Sequence, residues 1–134
     1  MGNLRFKFRG KRVDNGEWVY GYYIQLDFHN SVDYVEEAQI VLDNGHVYVV
    51  DPETVGQYTG LKDKNGTEVY EGDIVGNLDL ALDHFDYYEV IYHPKEASFI
   101  MVNKPENDRF DMTIAYHGEI IGNIHETPDL VKGE

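Results

Sequence analysis

Apolar and polar positions alternate with a period of two through most of the chain. Leu4, Phe6 and Phe8 share one parity and Arg5, Lys7 and Arg9 the other, which predicts a half-buried strand with a basic outer face. The pattern then returns at greater length: Trp18, Tyr20, Tyr22, Ile24, Leu26 and Phe28 fall on one parity, Gly21, Gln25 and Asp27 on the other. A long strand over 17–28 follows, with Trp18, Tyr20 and Tyr22 expected to fill a core beside Ile24 and Leu26. Tyr23, on the opposite parity, is then free to face a partner.

Three Asn-Gly pairs, at Asn15-Gly16, Asn44-Gly45 and Asn65-Gly66, supply residues that tolerate positive φ, the strongest short-range hairpin signal. They predict hairpins joining 4–9 to 17–28 and 39–43 to 46–50, and a shorter one around Asn65-Gly66. Between the first two, HNSVDYVEEA is polar enough for a surface loop. Asp51 and Pro52 mark an N-cap and first helical position, but Gly56 and Gly60 limit the result to a turn or two.

In the second half, short β-rich runs are expected at 72–77, 87–93, 98–102 and 119–124, and Thr127-Pro128 opens a brief terminal helix. Residues 78–86, LDLALDHFD, fit either a short helix or an acidic loop. The fold class is mainly β: one compact domain over 1–134, with a sub-division into a hairpin-rich part (1–60) and a small barrel (61–134). Gly72-Asp73 before Ile74-Val75 suits the entry to an SH3-like barrel.

Composition narrows the chemistry. The 134 residues hold no cysteine, so disulfides and thiolate-based metal sites or nucleophiles are excluded. No run approaches the roughly 18 apolar residues of a membrane span, and the first residues lack the apolar region of a signal peptide; a cytoplasmic protein without membrane attachment is expected. The formal charge is −14, yet the first twelve residues hold five basic side chains and no acid, leaving six basic against 25 acidic residues elsewhere. Such a body repels phosphate backbones and argues against direct nucleic-acid binding.

Motifs for catalysis are missing. The chain has two serines, neither in Gly-x-Ser-x-Gly, and no phosphate-cradling glycine loop. Asp63, Asn65 and Gly66 imitate part of a calcium loop, but its first and twelfth positions would be Leu61 and Gly72, which cannot coordinate. His117-Gly-Glu119 lacks the cysteines of a zinc deaminase. Asp79, Asp83, His84 and Asp86 are close enough in sequence to gather round a divalent ion if helical, though acidic surface explains them more simply. No cofactor, metal ligand or catalytic residue is assigned.

Eleven tyrosines and one tryptophan favour an interface, because aromatics with polar tips are enriched there. Tyr23 and Tyr58 are the aromatic candidates. The segment QYTGLKDKNGTEVYEGDIV, residues 57–75, is explained mostly by turns and packing, which leaves Tyr58, Lys62, Asp63, Tyr70 and Asp73 without a structural task. With the basic Arg5, Lys7 and Arg9 of the first strand, these form the candidate partner-binding set.

Three blocks, KFRGKRVDNGEWVYGYYI, QYTGLKDKNGTEVYEGDIV and IIGNIHETPDL, resemble the YopX family, small proteins encoded by phages and prophages of low-GC Gram-positive bacteria. The resemblance spans almost the whole chain and departs from the family pattern at His125 and Thr127. It implies a mostly β fold and a prophage origin in a bacterial cytoplasm, and it carries no catalytic residue.

The function expected is therefore that of a non-enzymatic phage accessory protein that binds another protein or itself, as a homo-oligomer built through the first strand. An acidic mimic of nucleic acid that occupies a host DNA-binding protein is the alternative, and a metal-dependent hydrolase on the 79–86 acids a third.

Overall fold

The Asn-Gly turns organise the front of the chain. A computed structural model describes residues 7–79, 84–103 and 107–131, which divide into two compact units, 1–58 and 59–134. In the first unit, β1 (Phe8–Lys11) and β2 (Trp18–His29) pair antiparallel from Phe8↔Gly21 to Lys11↔Trp18. β3 (Tyr34–Val41) and β4 (Val47–Val50) turn at Asn44-Gly45, where Leu42 N–H donates to the His46 carbonyl at 2.9 Å. The strand order is β4-β3-β2-β1-β5, with β5 spanning Gly56–Lys62. The single 3₁₀ turn Pro52–Thr54 is capped by Asp51, whose carboxylate accepts the Glu53 N–H at 3.0 Å.

The expected surface loop at HNSVDYVEEA is largely strand. Asn30 makes the turn with its own side chain, its Oδ1 accepting the Val32 and Asp33 N–H groups at 2.8 and 2.7 Å. Tyr34 then pairs with His29, and the register holds without a break to Tyr22↔Val41. The segment looks polar because it forms part of a ribbon whose surroundings are water, not because it is irregular.

A second correction concerns which side of β2 faces inward. The core of this unit is Ala38, Ile40 and Val50, with Phe8, Val19, Tyr23, Leu42 and Val55 packed on it. Odd-numbered residues of β2 face that core, and the even-numbered aromatic and aliphatic stripe faces out. The sheet curls so that β4 returns to the end of β1 through the Arg12↔Val50 bridge, supported by Asp51 N–H donating to the Lys11 carbonyl at 2.8 Å. Its concave side admits only small groups: a Cβ on Gly21 would lie 2.2 Å from the Val41 carbonyl oxygen. Tyr20 and Tyr22 flank that glycine and belong on the open side.

In the second unit, the end of β5 turns through Asn65-Gly66 into β6 (Glu68–Tyr70). A five-stranded antiparallel sheet follows in the order β10-β9-β8-β7-β11, from β7 (Asp73–Asp79), β8 (His84–His93), β9 (Ser98–Asn103), β10 (Asp108–Phe110) and β11 (Glu119–Asn123). Both ends of the 78–86 stretch are strand, and residues 80–83 lie outside the described residues. Val75, Tyr88, Val90 and Met101 pack with Met112 and Ala115 of the 3₁₀ helix Met112–His117. A last 3₁₀ turn, Pro128–Val131, lies against β8.

The expected SH3-like barrel is not seen among the described residues. β10 and β11 stand at opposite ends of the strand order and do not pair, because the chain between them becomes the 3₁₀ helix whose Met112 and Ala115 enter the core. The sheet is covered instead of being closed on itself.

Candidate interaction surface

The outer face of the first sheet has a basic root and an apolar arm. At the root, Arg9 sits opposite Tyr20 and Lys11 opposite Trp18. The Arg9 guanidinium lies 4.7 Å from the Trp18 ring centroid, with the Lys11 ammonium 5.9 Å from the same ring. Lys7 stands 5.4 Å over Tyr58. Each ring attracts a cation through its negative face and offers the apolar stem a surface to lie on. At the edge, Arg12 lies 4.2 Å over Tyr48 and grips Asp14 with Nη2 and Nε, at 2.6 and 2.9 Å. That grip holds the Asp14 carboxyl below its usual range.

Beyond the root, β2 and β3 run on as a ribbon. Among the described residues, Gln25–His29 pair only with β3, and Tyr34–Glu37 only with β2. One face of the ribbon is polar and internally bonded. Tyr23 OH donates to Gln25 Oε1 at 2.8 Å, and Tyr34 OH donates to Glu36 Oε2 at 2.9 Å. The bond to Glu36 raises the Tyr34 phenol, while burial and then the Glu36 and Asp27 charges raise that of Tyr23.

The other face carries the stripe. Tyr20, Tyr22, Ile24, Leu26 and Phe28 are 46, 43, 41, 44 and 74% exposed, and Val47 and Val49, two strands away on the same side, are exposed too. Large apolar side chains scattered singly are ordinary on a protein surface; a contiguous row of them is a candidate interaction site. Among the described residues, no three His, Asp or Glu side chains gather as metal ligands, and Asp83 of the acidic run lies outside them.

Comparison with known proteins places the chain. The model of the YopX family, described as YopX protein, matches residues 7–132. The chain belongs to the YopX family. A crystal structure of protein EF1440 from Enterococcus faecalis is similar over 97% of this chain and 100% of that one, with a TM-score of 0.56 and 24% identity, which speaks for the fold alone. No curated protein matches.

In this YopX-family chain the predicted partner-binding residues are divided between the two units and lie in different surroundings. Lys7, Arg9 and Tyr58 meet at the root, with Arg9 itself buried; Arg5 lies outside the described residues. Tyr23 faces the core, its ring 5.5 Å from Phe8, instead of a partner. Lys62 is exposed on β5.

Asp63, Tyr70 and Asp73 are buried and have structural tasks. One oxygen of Asp63 accepts the N–H groups of Asn65 and Thr67 at 2.9 Å each, closing the turn; the other accepts the Ile120 N–H at 2.9 Å, fastening the turn to β11. Asp73 accepts the Tyr70 N–H at 2.7 Å and fixes the bend from β6 into β7. Charge-assisted bonds of this kind hold a turn more firmly than neutral ones.

The stripe is legible in the sequence but its exposure is not, because alternation shows that one parity is apolar but not which side is covered. Gly21 was the available signal, since a glycine between large residues on a strand marks the side where backbone comes close.

Proposed function

We propose that this protein is a non-enzymatic, phage- or prophage-encoded accessory protein of the bacterial cytoplasm that works by protein docking on the outer face of β2. The observation that carries the reading is the exposed row from Tyr20 to Phe28. Its aromatic members give large contact area at small entropic cost, and the stacked cations at its root form a polar border. The family resemblance supports the phage origin.

Affinity capture with the purified chain and with a Leu26→Glu variant tests this. A protein retained in stoichiometric amount by the wild type and lost by Leu26→Glu is the expected result, whether it is a second copy or another chain. Identical retention by both baits, or a turnover activity that survives Leu26→Glu, overturns it.

A further inference from the structure

We infer that Asn65 is a site of spontaneous covalent modification, deamidating through a succinimide faster than the other two Asn-Gly pairs of the chain. The three pairs make a comparison within one molecule, because their glycines are alike. Gly16, Gly45 and Gly66 have φ of +75°, +89° and +81°, each with open space where a Cβ would lie. Each donates its N–H back across its turn, to the carbonyls of Arg12, Leu42 and Asp63 at 3.0, 2.9 and 3.0 Å. All three asparagines are exposed.

The asparagines differ in what their carboxamides do. Asn15 Oδ1 accepts the Glu17 N–H at 2.9 Å, and its Nδ2 donates to Glu17 Oε1 at 3.0 Å. Asn44 Oδ1 accepts the His46 N–H at 3.0 Å. Local bonds of this kind are how an asparagine side chain closes its own turn. In the third turn the corresponding amide, that of Thr67, is held at 2.9 Å by Asp63, which also takes the Asn65 N–H. Asp63 has replaced the asparagine as the side-chain acceptor of the turn. The Asn65 carboxamide has no hydrogen-bond partner among the described residues.

The reaction needs nothing beyond the chain and water. The Gly66 nitrogen gives up its proton to a solvent base and bonds to Asn65 Cγ, and the carboxamide nitrogen leaves as ammonia. The five-membered succinimide then takes up one water at either carbonyl. Opening yields aspartate at position 65 or isoaspartate, in which the backbone runs through the side-chain carbons. Residue 66 has no Cβ to obstruct the approach. In every turn the glycine N–H must first release its carbonyl, so that step does not separate the three pairs. Swinging the carboxamide onto its own backbone costs Asn15 two bonds, Asn44 one and Asn65 none. One neutral bond of ordinary net strength amounts to about fivefold in a rate.

The product acts on the fold at a point of attachment. Isoaspartate lengthens the backbone between the Asn65 and Thr67 amides, which share one oxygen of Asp63, while the other oxygen ties the turn to the Ile120 N–H on β11. Either product adds a negative charge close to that buried carboxylate.

Incubation of the full chain in warm, mildly alkaline buffer, with peptide mapping by mass spectrometry at intervals, reads each pair separately. Asn65 is expected to convert about fivefold faster than Asn44, the loss of one bond, and faster still than Asn15. The same incubation in concentrated urea is the control: with the turns gone, the lead of Asn65 should vanish. Asn15 or Asn44 converting as fast as Asn65 in the folded chain overturns the inference. A lead of the same size in urea overturns it as well, because it traces to the neighbouring residues and not to the turn. So does an Asn65 that stays intact in the folded chain while it converts in urea.

Discussion

β2 and β7 are both long antiparallel strands, and they end in opposite surroundings. On β7, Ile74 and Val75 point to different faces and both are fully buried. Val75 meets the Met112–His117 helix side of the sheet, and the Pro128–Val131 turn lies against the neighbouring β8. On β2, the odd-numbered residues of the strand's first half reach a core, and the large even-numbered side chains meet water. An adjacent apolar pair such as Ile74-Val75 therefore marks a stretch of strand buried on both sides, whereas clean alternation marks a strand with one side committed. It leaves open which side that is.

The sharpest way to break this comparison is to truncate one buried and one exposed apolar side chain. Met101 is completely buried in the second unit, so Met101→Ala should cost about 4 kcal/mol through lost transfer energy and the cavity left behind. Leu26→Ala on the ribbon should change the stability of the monomer by less than about 0.5 kcal/mol. Denaturant unfolding of both variants at low concentration checks it; equal losses would mean that the row on β2 is covered within the chain.

Next in size is the turn at Asn65-Gly66. The sequence alone suggests that Gly66 matters more than Asp63, since a turn carboxylate can often be spared. The hydrogen bonds of Asp63 argue for the opposite order. Gly66 has φ of +81° with open space where a Cβ would go, so Gly66→Val is expected to cost about 1.5 kcal/mol, the penalty for a left-handed conformation alone. Asp63→Ala deprives three N–H groups of their acceptor, one of them on β11, and should cost about 3 kcal/mol. Melting temperatures in the opposite order would return the turn to a purely local role.

These cases show what the sequence carries. All three Asn-Gly hairpins and the strands near 72–77, 87–93, 98–102 and 119–124 were legible, because turn chemistry and alternation are local. The strand at Tyr34–Ala38 was not, since Glu36 and Glu37 sit in a ribbon that stays wet and so resembles a loop in composition. The task of Asp63 was hidden for another reason: one of its partners is a backbone amide 57 residues away, and backbone amides leave no mark in sequence. The exposed stripe on β2 was visible as an alternation and assigned to the wrong side, so its residues were counted as core.

The smallest predicted effect is electrostatic and has opposite sign in the two regions. In the second unit, Glu96 accepts from Arg109 Nη2 at 2.6 Å, joining the β8–β9 turn to β10, and that bond holds the Glu96 carboxyl below its ordinary 4.5. A lowered carboxyl binds fewer protons in the folded state, so its contribution is present above about pH 4.5 and is lost as the pH falls through the lower folded value. On the ribbon, Tyr34 donates its phenol proton to Glu36, which raises the phenol above its ordinary 10.0. There the folded state binds more protons, so the contribution is complete below pH 10 and is lost as the pH rises through the higher folded value. Both pairs are solvent-exposed, and salt should weaken both. NMR titration of the Glu96 carboxyl and the Tyr34 ring reads each directly: Arg109→Ala should raise the Glu96 midpoint, and Glu36→Gln should lower the Tyr34 midpoint. Should the Tyr34 midpoint stay unmoved in Glu36→Gln, the polar face of β3 is not organised by that bond.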